Sequence, residues 1–238
     1  MKNFFLCLIV ASASLMANGF SVSPPSELKL LAGRGDIEGI RNLLDNGVDI
    51  NDRSGGFGGS VLNWAKDHTV TAFLLENGAD PNIRTAIQNM TTLMFAVKEG
   101  DLQQVILLHK TGLDINFKDD LGKDALHYSI GNLNSDITIY LLENGAHVNT
   151  QDHKGTTPLM AAMPYAEVEQ VQVLLENGAN IRIRNHEGKT AMDILERPNI
   201  AAEEEDIEAV RELLRSAQPN SGHVNQAVQE TGTVPRDE

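Results

Sequence analysis

The chain has 238 residues, of which 41% are hydrophobic and 5% aromatic, and its formal net charge is −14 with a sequence pI near 4.8. The length is enough for one sizeable domain or a short array of repeats. The negative charge argues against nucleic acid or an anionic lipid surface as a partner, because both are negatively charged themselves. It favours a protein partner with a basic or neutral surface, and the alternative is that the charge serves solubility alone.

Residues 1–19 have the pattern of a secretory signal peptide. Lys2 gives a positive start, residues 4–16 are apolar or small, and Ala17 and Gly19 place small residues before a cleavage point. The apolar run is shorter than the roughly 20 residues that span a bilayer, so a retained N-terminal anchor is the alternative that we favour less.

The only cysteine, Cys7, lies inside this leader. Eukaryotic secreted domains of this size usually carry disulfides, whereas a mature chain without cysteine suits a bacterial periplasm. We therefore expect a periplasmic protein that has no membrane insertion after cleavage.

A motif built on Leu-Leu-x-x-Gly recurs along the rest of the chain. Its copies lie at residues 43–51, 74–82, 108–116, 141–149 and 174–181. The glycines of these copies are spaced by 31, 34, 33 and 33 residues. A period of this kind indicates supersecondary units that stack on their neighbours and share one core.

A second motif lies before each glycine, and its best copy is residues 155–162, Gly-Thr-Thr-Pro-Leu-Met-Ala-Ala. Thr157 suits a helix N-cap, and Pro158 suits the first helical position, where its missing N–H costs nothing. A second helix is expected to begin near Asp36 or Asp101 and to end where the glycine takes a left-handed conformation. Each unit is thus predicted to be a pair of helices.

The period of 33 residues, with Thr-Pro-Leu and Leu-Leu-x-x-Gly-Ala, resembles the ankyrin repeat. The resemblance implies an all-α ankyrin-repeat solenoid of about six helix-pair units, with hairpin-like fingers along one edge. The repeat domain is expected over residues 20–217, and the polar residues 218–238 are predicted to form a disordered tail. The expected units are residues 26–51, 52–82, 83–116, 117–149, 150–182 and 183–217.

Two units depart from this pattern. The second is three residues shorter between its helices and follows a glycine-rich finger with Phe57 at its tip. The last carries about six additional residues around 198–205. Its acidic run at 203–206 suits a helix start, where negative charge meets the positive end of the helix dipole.

The sequence offers no convincing catalytic, cofactor or metal motif. The mature chain lacks a cysteine nucleophile and a His-Glu-x-x-His pair, and Ile183 stands where a phosphate loop ending at Gly188 requires glycine. Asp119, Asp120 and Asp124 do not have the spacing of an EF-hand calcium loop. We therefore predict that the chain is not an enzyme and needs no cofactor, with a hidden hydrolase as the least favoured reading.

Structural roles are the simpler interpretation of two histidines and three aromatic residues. His109 is interpreted as a packing residue, and His127 as a residue that bonds to a neighbouring finger. Trp64, Phe95 and Tyr128 hold the same position in three successive units. Packing between helices is the simpler interpretation of these rings, and an aromatic stripe that anchors a partner on the concave face is the alternative.

The resemblance also implies where a partner binds, because ankyrin proteins use finger tips and the exposed side of the first helices. From the fingers this gives Phe57, Arg84, Ile87, Gln88, Asp120, Leu121, His153, Lys154, His186 and Glu187. From the first helices and the turns after them it gives Lys98, Glu99, Asn132 and Tyr165, together with the aromatic positions Trp64, Phe95 and Tyr128.

Export combined with a binding fold is similar in plan to bacterial ankyrin proteins that protect their own cell. We therefore expect a self-protection, or immunity, protein that blocks a peptidoglycan endopeptidase of penicillin-binding-protein type or another exported toxic enzyme. The alternative is a periplasmic scaffold for an oxidative-stress or envelope-assembly complex, since exported ankyrin proteins are also linked to catalase activity.

Overall fold

The computed structural model describes residues 24–53, 58–130, 135–197 and 202–217, and every regular element in these ranges is helical. The predicted leader, the predicted tail, Phe57 and Asn132 lie outside the described residues. The helices are α1 (Pro24–Arg34), α2 (Ile37–Asp45), a 3₁₀ helix (Val61–Trp64), α3 (His68–Glu76), α4 (Thr92–Glu99), α5 (Leu102–His109), α6 (Ala125–Ser129), α7 (Asp136–Glu143), α8 (Pro158–Ala162), a second 3₁₀ helix (Met163–Tyr165), α9 (Val168–Glu176), α10 (Ala191–Leu195) and α11 (Glu204–Ser216). The predicted all-α solenoid of stacked helix pairs is confirmed.

In each of the last four units, the first helix begins at a threonine or aspartate whose side chain caps it. The Thr157 side chain accepts a hydrogen bond from the Met160 amide, and Pro158 occupies the first turn as predicted. Thr91 caps α4 in the same way. Such a cap stabilises a helix by about 1 kcal/mol, because it satisfies an N–H that has no partner within the helix.

In the first five units, the second helix is followed by a glycine in the left-handed conformation. Gly78 has a φ of 87° and Gly145 a φ of 91°. The amides that follow α3 return to its last turn, from Gly78 to the Leu75 carbonyl and from Ala79 to the Leu74 carbonyl. This Schellman motif explains the recurring glycine, since a side chain disfavours that φ.

The core runs along the stack in two clusters of buried side chains. One extends from Leu28 to Leu141, and the other from Leu159 to Leu214. Leu142 packs against both clusters and therefore joins them. Because each unit contacts mainly its neighbours, the stability of the stack depends on these interfaces.

Asparagine side chains tie successive units together beneath the fingers. The Asn116 amide group donates to the Gly145 carbonyl over 2.9 Å, and its oxygen accepts from the His147 amide at 3.0 Å. Asn51 and Asn149 make the same pair of bonds to the unit that follows each of them. The recurring Asp-x-Asn segment therefore connects neighbouring units as well as starting a loop.

The two departures from the repeat pattern have structural counterparts. The shortened second unit opens with the 3₁₀ helix Val61–Trp64 in place of an α-helix. In the last unit the acidic run lies at the start of α11, as predicted, with Glu204, Glu205 and Asp206 in the first turn. Within the described ranges, no helix has both the length and the apolar character that crossing a membrane requires.

Candidate partner-binding surface

The predicted finger residues meet one another at the tips of successive fingers. The Asp120 amide donates to the Gln88 carbonyl, the His153 amide to the Leu121 carbonyl, and the His186 amide to the Lys154 carbonyl, each over 2.9 Å. Six residues that the sequence assigned to separate fingers are thus joined in three hydrogen bonds. The tips form a continuous ladder along one edge of the solenoid.

Each finger from the third onward is held rigid by one polar side chain at its turn. The Asp119 carboxylate accepts hydrogen bonds from the amides of Leu121 and Lys123, both at 2.9 Å. Asp152 and Asn185 play the same part in the next two fingers. Because these bonds fix the turn before any partner arrives, a partner that binds here meets a preorganised surface.

The second finger is one residue longer than the third, and the extra length forms an unusual turn. Gln88 and Asn89 adopt left-handed conformations, with φ of 68° and 54°. The Thr85 hydroxyl holds the turn by donating to the Ile87 carbonyl and accepting from the Met90 amide. Strained non-glycine residues of this kind cluster at binding sites.

Apolar side chains stand out from two neighbouring tips. Ile87 is 57% exposed and Leu121 is 44% exposed. The hydrogen bond from Asp120 to Gln88 places the two tips side by side. Large exposed apolar side chains on a rigid surface are suited to act as anchors for a protein partner.

The aromatic residues Trp64, Phe95 and Tyr128 lie partly in the core and partly at the surface. Trp64 and Tyr128 are half-buried and pack against the first core cluster. The Lys98 ammonium lies 5.9 Å from the centre of the Phe95 ring and 5.5 Å from that of Tyr128. Two of the three rings thus meet at one lysine, and both residues are half-buried.

Tyr128 is held in place by a carboxylate that the sequence analysis did not connect with it. Its hydroxyl donates a hydrogen bond to Asp119. Burial, together with that hydrogen bond and the negative charge of Asp119, raises the pKa of the Tyr128 phenol above its ordinary range. The phenol therefore stays neutral and acts as a donor at all pH values at which the protein would function.

Other predicted residues make contacts of their own or are exposed to solvent. The Arg84 guanidinium lies 4.9 Å above the ring of Phe117. Tyr165 is 54% exposed at the turn before α9, beside an open depression lined also by Glu167 and Asp206. Glu99, His153, Lys154, His186 and Glu187 are exposed, and Glu187 pairs with Arg197 and Lys189.

The two histidines have the structural roles predicted for them. His127 lies 2.8 Å from Asp124 through Nδ1 and 3.0 Å from the Thr156 carbonyl of the next finger through Nε2. His109 packs edge-on against Tyr140 with a hydrogen bond of 2.9 Å. In the part of the chain that the structure describes, no three His, Cys, Asp or Glu side chains are grouped to hold a metal ion.

Comparison with known proteins agrees with this architecture. Residues 62–152 and 93–185 match the family model described as "Ankyrin repeats (3 copies)". The chain is 30% identical over 118 residues to a Bos taurus protein named Cyclin-dependent kinase 4 inhibitor B, which covers 49% of this chain and 89% of the relative. The Homo sapiens protein of that name is 29% identical over 112 residues, covering 46% of this chain and 80% of the relative. Palmitoyltransferase AKR1 of Lachancea kluyveri is 28% identical over 128 residues, which are 49% of this chain but only 17% of that protein.

Proposed function

This chain belongs to the ankyrin-repeat family, and on that premise we propose that it is a periplasmic self-protection protein that binds and blocks an exported cell-wall-cleaving enzyme. As a member of this family, it is a scaffold that binds another protein. The observation that carries the proposal is the ladder of finger tips, which presents Ile87 and Leu121 to solvent on a rigid edge. Exposed apolar anchors on a preorganised surface favour tight binding, since little freedom is lost on docking.

Blocking an enzyme is a mode of action that suits this architecture. Several relatives that match about half of the chain are named as inhibitors of a kinase. A row of stiff fingers can cover the rim of an active-site cleft without chemistry of its own. The proposed target is different, because the leader expected at residues 1–19 directs the chain to the periplasm, where peptidoglycan endopeptidases of penicillin-binding-protein type act.

Recovery of the target tests the proposal directly. A tagged chain is expressed in its own cell, cross-linked in the periplasm, and its partners are identified by mass spectrometry. We expect an exported peptidoglycan hydrolase or another exported toxic enzyme, whose activity on peptidoglycan falls when the purified chain is added in excess. Recovery of no such enzyme, or a recovered hydrolase that keeps full activity, would contradict the proposal.

A pair of substitutions connects inhibition to the finger tips. Replacement of Ile87 and Leu121 by aspartate should weaken inhibition about 100-fold, since buried apolar anchors often account for 2 kcal/mol or more of binding energy. The control replaces the exposed residues Gln103 and Gln172 on the second helices by aspartate, which adds the same charge elsewhere. Equal weakening by both variants would show that charge, and not the tips, is responsible.

The alternative scaffold function makes a different genetic prediction. Loss of the gene should damage the cell wall only when the target hydrolase is present. Lower peroxide resistance with an intact wall would instead favour a scaffold for an oxidative-stress complex.

A further inference from the structure

The fingers differ in charge from the rest of the molecule. We define the finger edge as residues 52–53, 58–60, 83–91, 117–124, 150–157 and 183–190. It holds seven of the 19 lysines and arginines but only six of the 33 aspartates and glutamates. The seven basic residues are Arg53, Arg84, Lys118, Lys123, Lys154, Arg184 and Lys189.

Half of the acids on the finger edge do not reach its surface. Asp119, Asp124 and Asp152 are between 1% and 9% exposed. Their carboxylates accept hydrogen bonds from backbone amides of the fingers and first helices. Asp52, Asp120 and Glu187 are left at the surface, so basic side chains outnumber accessible acidic ones along this edge.

Four of the basic residues form a row because they occupy the same position in their fingers. Arg53, Arg84 and Lys118 lie two residues after the recurring asparagines Asn51, Asn82 and Asn116, and Arg184 holds the equivalent position in the fifth finger. Gln151 takes the place in the fourth finger. All five side chains belong to exposed residues.

The row is held together across finger boundaries. The Arg53 guanidinium donates to the Arg84 carbonyl at 3.4 Å, and the Lys118 ammonium donates to the Gln151 carbonyl at 2.6 Å. Gln151 in turn donates to the Arg184 carbonyl. Arg84 packs over the Phe117 ring. Because these contacts are with neutral carbonyls and a ring, they orient the side chains without neutralising their charge.

The first three members of the row have no carboxylate within ion-pair distance among the residues that the structure describes. The basic residues of the last unit are different, since Arg197, Arg211 and Arg215 all contact glutamates. At the end of the finger edge that also carries Ile87, positive charge is therefore not balanced by ion pairs with the described residues.

We propose that the finger edge docks an acidic segment of the partner protein, with carboxylates set along the row of Arg53, Arg84 and Lys118. This inference rests on the proposed function only in taking the partner to be a protein. The net charge of −14 predicted a basic or neutral partner surface, whereas the surface that faces the fingers is acidic. A nucleic acid fits less well, because a long polyanion would extend past the fingers toward the rest of a chain whose formal net charge is −14.

A peptide of ten glutamates labelled with fluorescein is the probe, and its binding to the purified protein is measured by fluorescence anisotropy. We expect binding at 50 mM salt that weakens as salt is raised. Replacement of Arg53, Arg84 and Lys118 together by glutamine should raise the Kd about tenfold, since each exposed charge pair contributes modestly. The control replaces the exposed cations Arg41, Lys66 and Lys110, which lie outside the finger edge, by glutamine.

Each outcome bears on the proposal. Absence of binding, or equal weakening by the two triple variants, would overturn it. If a 20-nucleotide oligothymidylate binds more tightly than the peptide through the same three residues, the occupant is nucleic acid and not an acidic protein segment. If the recovered partner binds the finger variant as well as the unaltered chain, this inference fails while the proposed function stands.

Discussion

At the scale of single residues, Gly122 shows how closely neighbouring fingers approach. Its φ is 76°, and a Cβ there would lie 2.5 Å from the His153 ring and 2.7 Å from the His153 amide nitrogen. Gly122→Ala should lower the free energy of unfolding by about 3 kcal/mol, because it combines an unfavourable φ with a clash against backbone. Urea denaturation measures the loss.

Gly188 provides the control for that substitution. Its φ is 75°, but a Cβ there would meet nothing within 4 Å. Gly188→Ala should therefore cost only the backbone part, about 1 kcal/mol. Equal losses in the two variants would show that the fingers do not depend on close approach at Gly122.

A second residue-scale prediction concerns the asparagines that join units. Asn116→Ala removes two hydrogen bonds to the following unit and should lower the free energy of unfolding by about 2 kcal/mol. Asn82 has the same place in its own unit, but its side chain bonds to Asp80 of the same loop. Asn82→Ala should cost about half as much in the same urea experiment, and a larger loss there would contradict the assignment.

At the scale of elements, the capping box of α10 makes stability depend on pH. Hydrogen bonds from the backbone and side chain of Thr190 hold the pKa of Asp193 below its ordinary value. A lowered pKa in the folded state stabilises the protein above the unfolded pKa, near 4, and this contribution is lost as pH falls through the folded pKa.

Asp193→Asn should therefore lower the thermal midpoint at pH 7 and leave it nearly unchanged at pH 2. Circular dichroism melts at the two pH values measure the difference. Asp114→Asn is the control, because that exposed aspartate lies in a loop and caps no helix. A loss for Asp193→Asn that is the same at both pH values would contradict a role for its charge.

Elements set by local chemistry could be predicted from the sequence, whereas contacts between units could not. Thr157 and Pro158 define a helix start, and glycines define the ends, through bonds within a few residues. The spacing of 34 shows that one unit has an extra residue but not that Gln88 and Asn89 absorb it in left-handed conformations. The basic row likewise became visible only when stacking brought equivalent finger positions together, and of its members the sequence analysis had named Arg84 alone.

At the scale of the whole molecule, the two core clusters meet at Leu142. In a solenoid, removal of the contact between two stable parts lets them unfold separately. Leu142→Ala should lower the free energy of unfolding by about 2 kcal/mol and also divide the transition into two. Leu75→Ala provides the control, since Leu75 holds the equivalent place but packs against the first cluster alone.

The chain offers a natural probe for this division, because its one tryptophan, Trp64, packs against the first cluster. Tryptophan fluorescence in urea therefore follows the first cluster, while circular dichroism follows helices along the whole stack. In the unaltered protein and in Leu75→Ala the two signals should change together. In Leu142→Ala the midpoints should separate, since the two clusters lose the side chain that packs against both. Coincident transitions in this variant would show that the other contacts between the fourth and fifth units are enough to keep unfolding cooperative.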